Sequence, residues 1–279
     1  MEEESLPRKI FTVCKTLVRK LVFRVLRAGP MPSHIAVIMD GNRRYAKRNR
    51  LNEGAGHDAG AMALFYLITY CYELGIKYIT AYAFSTDNFR RKPQEVGKIM
   101  SLLRESMALL TKITKHQPVR VHFAGNLELL SAELRDGARK LMEATADYSK
   151  IVVTICVCYC CSDEILNSVE ESVLEKYYNH SYIRDSHNDY DDNNNDRKDT
   201  ITLVDIEKHM YMAVTPEPDI LIRTAHEHRL SNFLQWQTSY TQLASLPIDF
   251  PELNSWQLTW VILDFQRNYD YLARKKLQR

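Results

Sequence analysis

Four cations, Arg43, Arg44, Lys47 and Arg48, crowd behind an aspartate, a glycine and an asparagine in the stretch IMDGNRRYAKR, which begins at Ile38. The apolar run before it, residues 34–39, reads as a short strand, and Arg44–Arg48 read as the first turns of a helix. Asp40, Gly41 and Asn42 then make the turn between them. Amides at a helix start point outward unpaired and carry partial positive charge; glycine lets a ligand approach the backbone, and arginine adds charge-assisted donors. Such a turn suits a polyanion such as a phosphate. A carboxylate facing phosphate is repelled unless a divalent cation lies between them, and Mg2+ is the usual choice for hard oxygen ligands. The alternative is a capping aspartate followed by a solvated basic helix, and these residues alone leave both open.

Three more stretches carry chemistry-bearing side chains: GAGH with His57; YAFSTDNFRRKP with Phe84, Ser85, Asn88, Phe89 and Arg91; and RTAHEHRLSNFLQWQ with Arg223, Glu227, Arg229 and Ser231. Each alone is ordinary surface chemistry. The run IVVTICVCYCC holds four of the six cysteines, but its β-branched surroundings and the lack of a second Cys/His pair at finger spacing favour buried strand thiols over zinc.

The elements that must position these residues alternate. AGAMALFYLITYCYELG has helical period and stops at Gly75, IKYITAYAF is a strand, QEVGKIMSLLRESMALLTKI is a long helix, and VRVHFAG is a strand. After a further helix come the strands KIVVTICVCY and PDILIRT. Strands this apolar, separated by helices, predict a single α/β domain with a mostly parallel central sheet flanked by helices. Ligands in such folds collect at the carboxyl ends of strands, and Asp40, Ser85 and Arg223 each stand just past one.

A net charge of +2 gives no support to a nucleic-acid-binding protein. Six cysteines without a secretory signal point to a reducing compartment. Residues 1–30 are set apart as a basic amphipathic helix: Ile10, Cys14, Leu17, Leu21 and Val25 form one stripe, with Lys15, Arg19 and Arg27 largely opposite. It carries too many charges to span a bilayer, so it lies on a membrane surface or docks on a partner; packing on its own domain and a mitochondrial presequence are the rivals. Residues 31–279 form the main domain, with 176–200, rich in Asp and Asn, expected as a disordered insertion.

Taken together and in this order, HIAVIMDGNRR, GH, YAFSTDNFRR and RLSNFLQWQ closely resemble the cis-prenyltransferase family, which includes undecaprenyl and dehydrodolichyl diphosphate synthases. The resemblance spans Met31 to Tyr271 and is nearest to the eukaryotic members of the plant polyprenol and rubber type. It implies condensation of isopentenyl diphosphate with an allylic diphosphate such as farnesyl diphosphate. The product would be a long-chain cis-polyprenyl diphosphate for dolichol or related polyprenoids. By the resemblance, Asp40 carries Mg2+, and Gly41, Asn42, Arg43 and Arg44 cradle the allylic diphosphate. His57 assists at the leaving diphosphate, Asn88 helps orient groups during condensation and proton loss, and Ser85 hydrogen-bonds nearby. Phe84 and Phe89 line the apolar side, Arg91 joins the phosphate donors, and Arg223, Arg229 and Ser231 bind isopentenyl diphosphate with Glu227 in support. AMALFYLITYCY and VGKIMSLLRESMALL would wall the tunnel for the growing chain.

Departures from the family pattern stand beside these matches. Ala225-His226 replaces Ser-Gly or Gly-Gly, removing backbone freedom and adding bulk beside the isopentenyl diphosphate site; Glu53 stands where bacterial members carry a base, Gln242 replaces a second metal-linked acid, and Cys160, Cys161 and Ser162 replace GGR. The last residues, RNYDYLARKKLQR, contain no Arg-x-Gly, which resembles the catalytic subunit of a two-component enzyme. The expected partners are therefore the two diphosphates, an accessory subunit supplying a C-terminal Arg-x-Gly, and a membrane surface. The expected place is the cytosolic face of the endoplasmic reticulum. A catalytically impaired prenyl-diphosphate-binding or scaffold subunit is the alternative raised by Ala225-His226; retention of Asp40 favours the enzyme.

Overall fold

Apolar runs closed off by glycine, proline or polar turns become strands, and periodic runs between them become helices. The computed structural model describes residues 6–52, 54–186 and 200–278, and side-chain surroundings within these for 13–178 and 200–278. The chain runs α1 (Leu6–Leu26), β1 (His34–Ile38), α2 (Asn42–Arg48), α3 (Ala55–Leu74), β2 (Tyr78–Ser85), α4 (Pro93–Thr114) and β3 (Val119–Ala124). It continues as α5 (Ala132–Ala144), β4 (Ile151–Tyr159), α6 (Cys161–Ser186), α7 (Leu203–Lys208), β5 (Ile220–Arg223), β6 (Gln242–Ser245) and α8 (Ser255–Lys276). The starts are capped as the sequence allows: Pro93 opens α4, Ser131 accepts from Leu134 at α5, and Asn254 caps α8.

The six described strands form one sheet in the order β3-β4-β2-β1-β5-β6, every pair parallel. All nine residues of β4 and all five of β1 are buried, as a sheet covered on both faces requires. One face packs Leu67, Cys71, Leu103, Met107, Leu141, Ile262 and Phe265 from the helices; the other packs Tyr82, Tyr159, Met212, Phe233 and Leu234. Cys156 and Cys158 are buried strand thiols, with burial raising the Cys158 thiol to about 12. At the amino ends of the strands the fully buried His34 bonds the Pro216 carbonyl at 2.7 Å and Thr80 Oγ1 at 2.8 Å.

Four features differ from the sequence reading. Helix α2 begins at Asn42, two residues before Arg44, because Gly41 takes a left-handed φ of 98° and turns the chain in a single residue. The strand β6 was not foreseen: four residues with one exposed and three half-buried give no apolar run. The start of the expected insertion, 176–186, continues α6, whereas 187–199 lie outside the described residues. Helix α1 packs on the domain by Phe23 and Leu26, with Arg19 paired to Glu73 at 2.9 Å and lying over the Tyr70 ring. The stripe residues Cys14, Leu17, Leu21 and Val25 are left exposed; the Ile10 side chain and Glu53 lie outside the described residues.

Candidate active site

The carboxyl ends of β1, β2 and β5, three neighbours in the sheet, open into a cleft of ≈ 780 Å³. Its lining includes Asp40, Gly41, Asn42, Arg43 and Arg44 from the first turn, and His57, Phe84, Ser85, Asn88, Arg91, Arg223, Glu227, Arg229 and Ser231. Every anticipated site residue except Phe89 therefore meets in one cleft. Phe89 stays outside the lining: its ring is partly exposed and packs edge-on against Phe84, centroids 4.9 Å apart, so it supports the wall from behind. The residue His226, expected to crowd a diphosphate, also lies outside the lining, whereas Ala225 is part of it.

The first turn is held from three sides. Thr224 Oγ1 accepts from the Asp40 amide at 3.1 Å and donates to the Asp40 carbonyl at 2.7 Å, and the Phe250 amide donates to the same carbonyl at 2.9 Å. Beneath it, Asp249 is nearly inaccessible and accepts from Arg44 Nε at 2.7 Å, with Arg48 at 3.2 Å. A Cβ at residue 41 would sit 2.4 Å from Asp249 Oδ1, so both the left-handed φ and the close approach demand glycine there. A Cβ at residue 56 would fall 2.1 Å from the Asn42 carbonyl, so glycine is what lets α3 press against the start of α2. The short spacing in GAGH thus reports backbone packing as well as the position of His57.

The Asp40 carboxylate has one oxygen on its neighbour's amide, Gly41 N at 2.8 Å, and the other on Arg223 Nη2 at 2.7 Å. Arg223 is buried, and its Nη1 donates to Ser231 Oγ at 2.7 Å and to the Arg229 carbonyl. Arg229 itself is held by Glu227 at 2.7 Å. The loop that places these groups is strained: Ala225, His226, Ser231, Asn232 and Leu234 all have positive φ, five of the seven such non-glycine residues described. Ser85 and Asn88 cap each other across a short 3₁₀ turn, Asn88 Oδ1 accepting from the Ser85 amide at 3.2 Å. His57 Nε2 is buried without a hydrogen bond, 3.9 Å from Glu95, and burial is the main cause that lowers its pKa. Glu95 also pairs with Arg91 at 2.8 Å and Arg43 at 3.5 Å.

Three participants were not legible as such: Thr224 and Asp249 fix the turn, and Tyr82 lines the cleft and donates to the Tyr159 carbonyl at 3.1 Å. Lys47, one of the four cations behind the turn, lines the cleft beside Arg43. Thr224 was legible only as the residue after a strand-end arginine. Asp249 sits in a loop with no periodic pattern to mark it.

The chemistry of this donor set is narrow: the partly exposed Asp40 carboxylate amid arginines, a histidine and a glycine turn, with Asp87 and Glu227 also on the lining and apolar Phe84 and Ile99 beside them. Residues 38–272 match the prenyltransferase family described as "Putative undecaprenyl diphosphate synthase". The chain belongs to this family. It is 50% identical over 270 residues to dehydrodolichyl diphosphate synthase 6 of Arabidopsis thaliana, covering 93% of this chain and 91% of that one. It is 37% identical over 268 residues to the human dehydrodolichyl diphosphate synthase complex subunit DHDDS, covering 94% of this chain and 75% of that one. The crystal structure of lavandulyl diphosphate synthase from Lavandula x intermedia, in complex with dimethylallyl diphosphate, superposes with a TM-score of 0.73 at 25% identity. That match covers 85% of this chain and 95% of the other. The family and the eukaryotic, plant-type branch read from the motifs are thereby established.

Proposed function

We propose that this prenyltransferase condenses isopentenyl diphosphate with an allylic diphosphate to build a cis-polyprenyl diphosphate for dolichol or a related polyprenoid. The observation that carries the reading is the convergence of two cationic groups on one carboxylate: the Gly41–Arg44 turn on one side of Asp40 and the Arg223–Arg229–Ser231 group on the other. Two diphosphates held side by side need such an arrangement. The retained Asp40 speaks against a scaffold that has lost turnover.

The donor set fits Mg2+. A partly exposed carboxylate with lone pairs to spare, at the mouth of a phosphate-binding turn, matches an ion that binds through one or two carboxylates and substrate phosphates. When bound, Mg2+ would neutralise phosphate charge as the allylic carbon–oxygen bond breaks. Asp40 would hold it. Gly41, Asn42, Arg43 and Arg91 would donate to the allylic diphosphate, and Arg44, steadied by Asp249, would add charge from the side. A diphosphate beside His57 favours the protonated ring, opposing the effect of burial, so this ring would donate to the departing oxygen. Arg223, Arg229 and Ser231 would bind isopentenyl diphosphate. Ser85 and Asn88 would orient groups during proton loss, and the growing chain would pass Phe84 and Ile99 between α3 and α4.

The human relative is named as a complex subunit, which supports an accessory partner here; a C-terminal Arg-x-Gly on that partner would complete the phosphate donors. A peripheral place on the cytosolic face of the endoplasmic reticulum is supported by the exposed stripe on α1 with its interspersed cations. No described helix is long and apolar enough to cross a membrane. Co-expression with a candidate accessory subunit, feeding of labelled isopentenyl diphosphate with farnesyl diphosphate, and sizing of the extracted product test the proposal. Labelled polyprenyl diphosphate is expected, and its absence with every partner tried would overturn the enzyme reading.

A further inference from the structure

Next to the active cleft lies a second one of ≈ 820 Å³, walled by α2, the starts of α3 and α4, and the turn before α4. Among the described residues, its lining holds Arg43, Lys47, Arg90, Arg91, Lys92 and Lys98 against a single carboxylate, Glu95. Arg43, Lys47, His57 and Arg91 line both clefts and form the wall between them. Arg90, Lys92 and Lys98 line the second alone. Lys98 lies against Gly54 and pairs with the exposed Asp58 at 3.3 Å; Arg90 reaches the exposed Asp87 at 3.7 Å. The groove therefore keeps a strong excess of positive charge within reach of the residues expected to hold the leaving group.

We propose that this side cleft is a separate binding site for the inorganic diphosphate released at each condensation, and that it gives that ion a path out which avoids the isopentenyl side. The inference rests on the cis-prenyltransferase reading. In that reaction the new prenyl diphosphate starts on the Arg223–Arg229–Ser231 side and must move to the Gly41–Arg44 turn before the next cycle. The spent diphosphate occupies that turn. Leaving through the shared cleft would bring two polyanions past each other, whereas stepping across Arg43, Lys47, His57 and Arg91 keeps it among cations throughout. The site takes a small, multiply charged phosphate, met by Arg90, Lys92 and Lys98, with Ala46 and Leu51 lining the cleft beside them.

The test uses the full chain with its accessory subunit, in the double variant Lys92→Gln, Lys98→Gln, with Lys140→Gln on α5 as a control for loss of bulk charge. Calorimetric titration with inorganic diphosphate at fixed Mg2+ is expected to show three- to tenfold weaker binding in the double variant, and wild-type binding in the control. Its inhibition constant as a product inhibitor should rise by the same factor, with both substrate Michaelis constants within twofold. Unchanged diphosphate binding and inhibition would overturn the proposal, as would an equal rise in both Michaelis constants, which marks a general field effect. The two layers fail differently: a wild-type complex that binds diphosphate through these lysines yet elongates nothing would refute the enzyme reading and leave the site standing.

Discussion

Asp40 and Arg223 show how much of the site's behaviour is set by one contact. Each Asp40 oxygen already has a donor, and the buried Arg223 spends one amino group on Asp40 and the other on Ser231 and the Arg229 carbonyl. The motif spelled out the residue types and their strand-end positions, because alternating apolar runs fix where strands stop. The bond between residues 183 apart in sequence was not legible, since no local pattern encodes it. His226 makes the same point from the other side. As the occupant of a glycine position it suggested a steric clash with phosphate, but its ring is exposed beside His228 and its amide is used by the Leu246 carbonyl at 3.0 Å. Its departure from pattern acts on the backbone, at φ 59°. His226→Gly should therefore stabilise the protein by about 1 kcal/mol, relieving part of the left-handed penalty. Chemical denaturation measures this, and a destabilised variant would show that the ring makes a contact worth more than the strain.

At the scale of elements, the strained loop after β5 is anchored by a buried carboxylate. Glu164, at the start of α6, accepts from Tyr159 Oη at 2.5 Å, Gln237 Nε2 at 3.0 Å and the Met212 amide at 2.9 Å. It is fully buried, and burial is the main cause raising its pKa. Glu164→Ala leaves the buried Tyr159 hydroxyl and Met212 amide without a partner, each costing about 1–3 kcal/mol, and Gln237 with only the weak Met210 sulfur acceptor. The expected result is a stability loss of several kcal/mol and local loosening around 229–237, read as faster amide exchange there, with Glu164→Gln much milder. Exchange in this loop matching the wild type in Glu164→Ala would rule the anchor out.

The opposite end of the sheet carries a pH dependence of definite sign. Burial lowers His34 to about 4, with the nearby Asp219 carboxylate and Lys276 ammonium acting in opposite directions. The unfolded chain, with histidine near 6.5, therefore binds more protons between those values. Stability from this group is complete above about pH 6.5 and is lost as pH falls toward 4, by about 3 kcal/mol in all. Urea midpoints at pH 7 and pH 5 should fall further apart in the wild type than in His34→Gln. An equal fall in both would assign the acid sensitivity to other groups.

Across the whole molecule, the parallel sheet with helices on both faces was written in the sequence as apolar runs at regular spacing, and the site follows from where those runs end. The edge strand β6, half-buried, gave no such signal, and the packing of α1 was only half visible. Its basic and apolar positions were plain, but Phe23 and Leu26 rather than the stripe face the domain. That arrangement frees Leu17, Leu21 and Val25, 60%, 64% and 68% exposed, for an anionic lipid surface. Replacing all three with glutamate should cut binding to phosphatidylserine vesicles at least tenfold while leaving the fold intact, since the docking face is untouched. Vesicle binding equal to the wild type would refute a membrane role for this stripe.

Asp40 sits where the two cationic groups of the cleft meet. If it holds the metal between two diphosphates, the complex with its accessory subunit should elongate farnesyl diphosphate only with Mg2+. Asp40→Asn, which keeps the shape and one acceptor for Arg223, should lose about a hundredfold or more in turnover, corresponding to about 3 kcal/mol or more of transition-state stabilisation. The measurement is incorporation of labelled isopentenyl diphosphate across a Mg2+ titration, alongside circular dichroism to confirm the fold. Turnover collapsing in the folded variant at saturating Mg2+ is the predicted result. Turnover within a few-fold of wild type, or full activity in excess chelator, would contradict it.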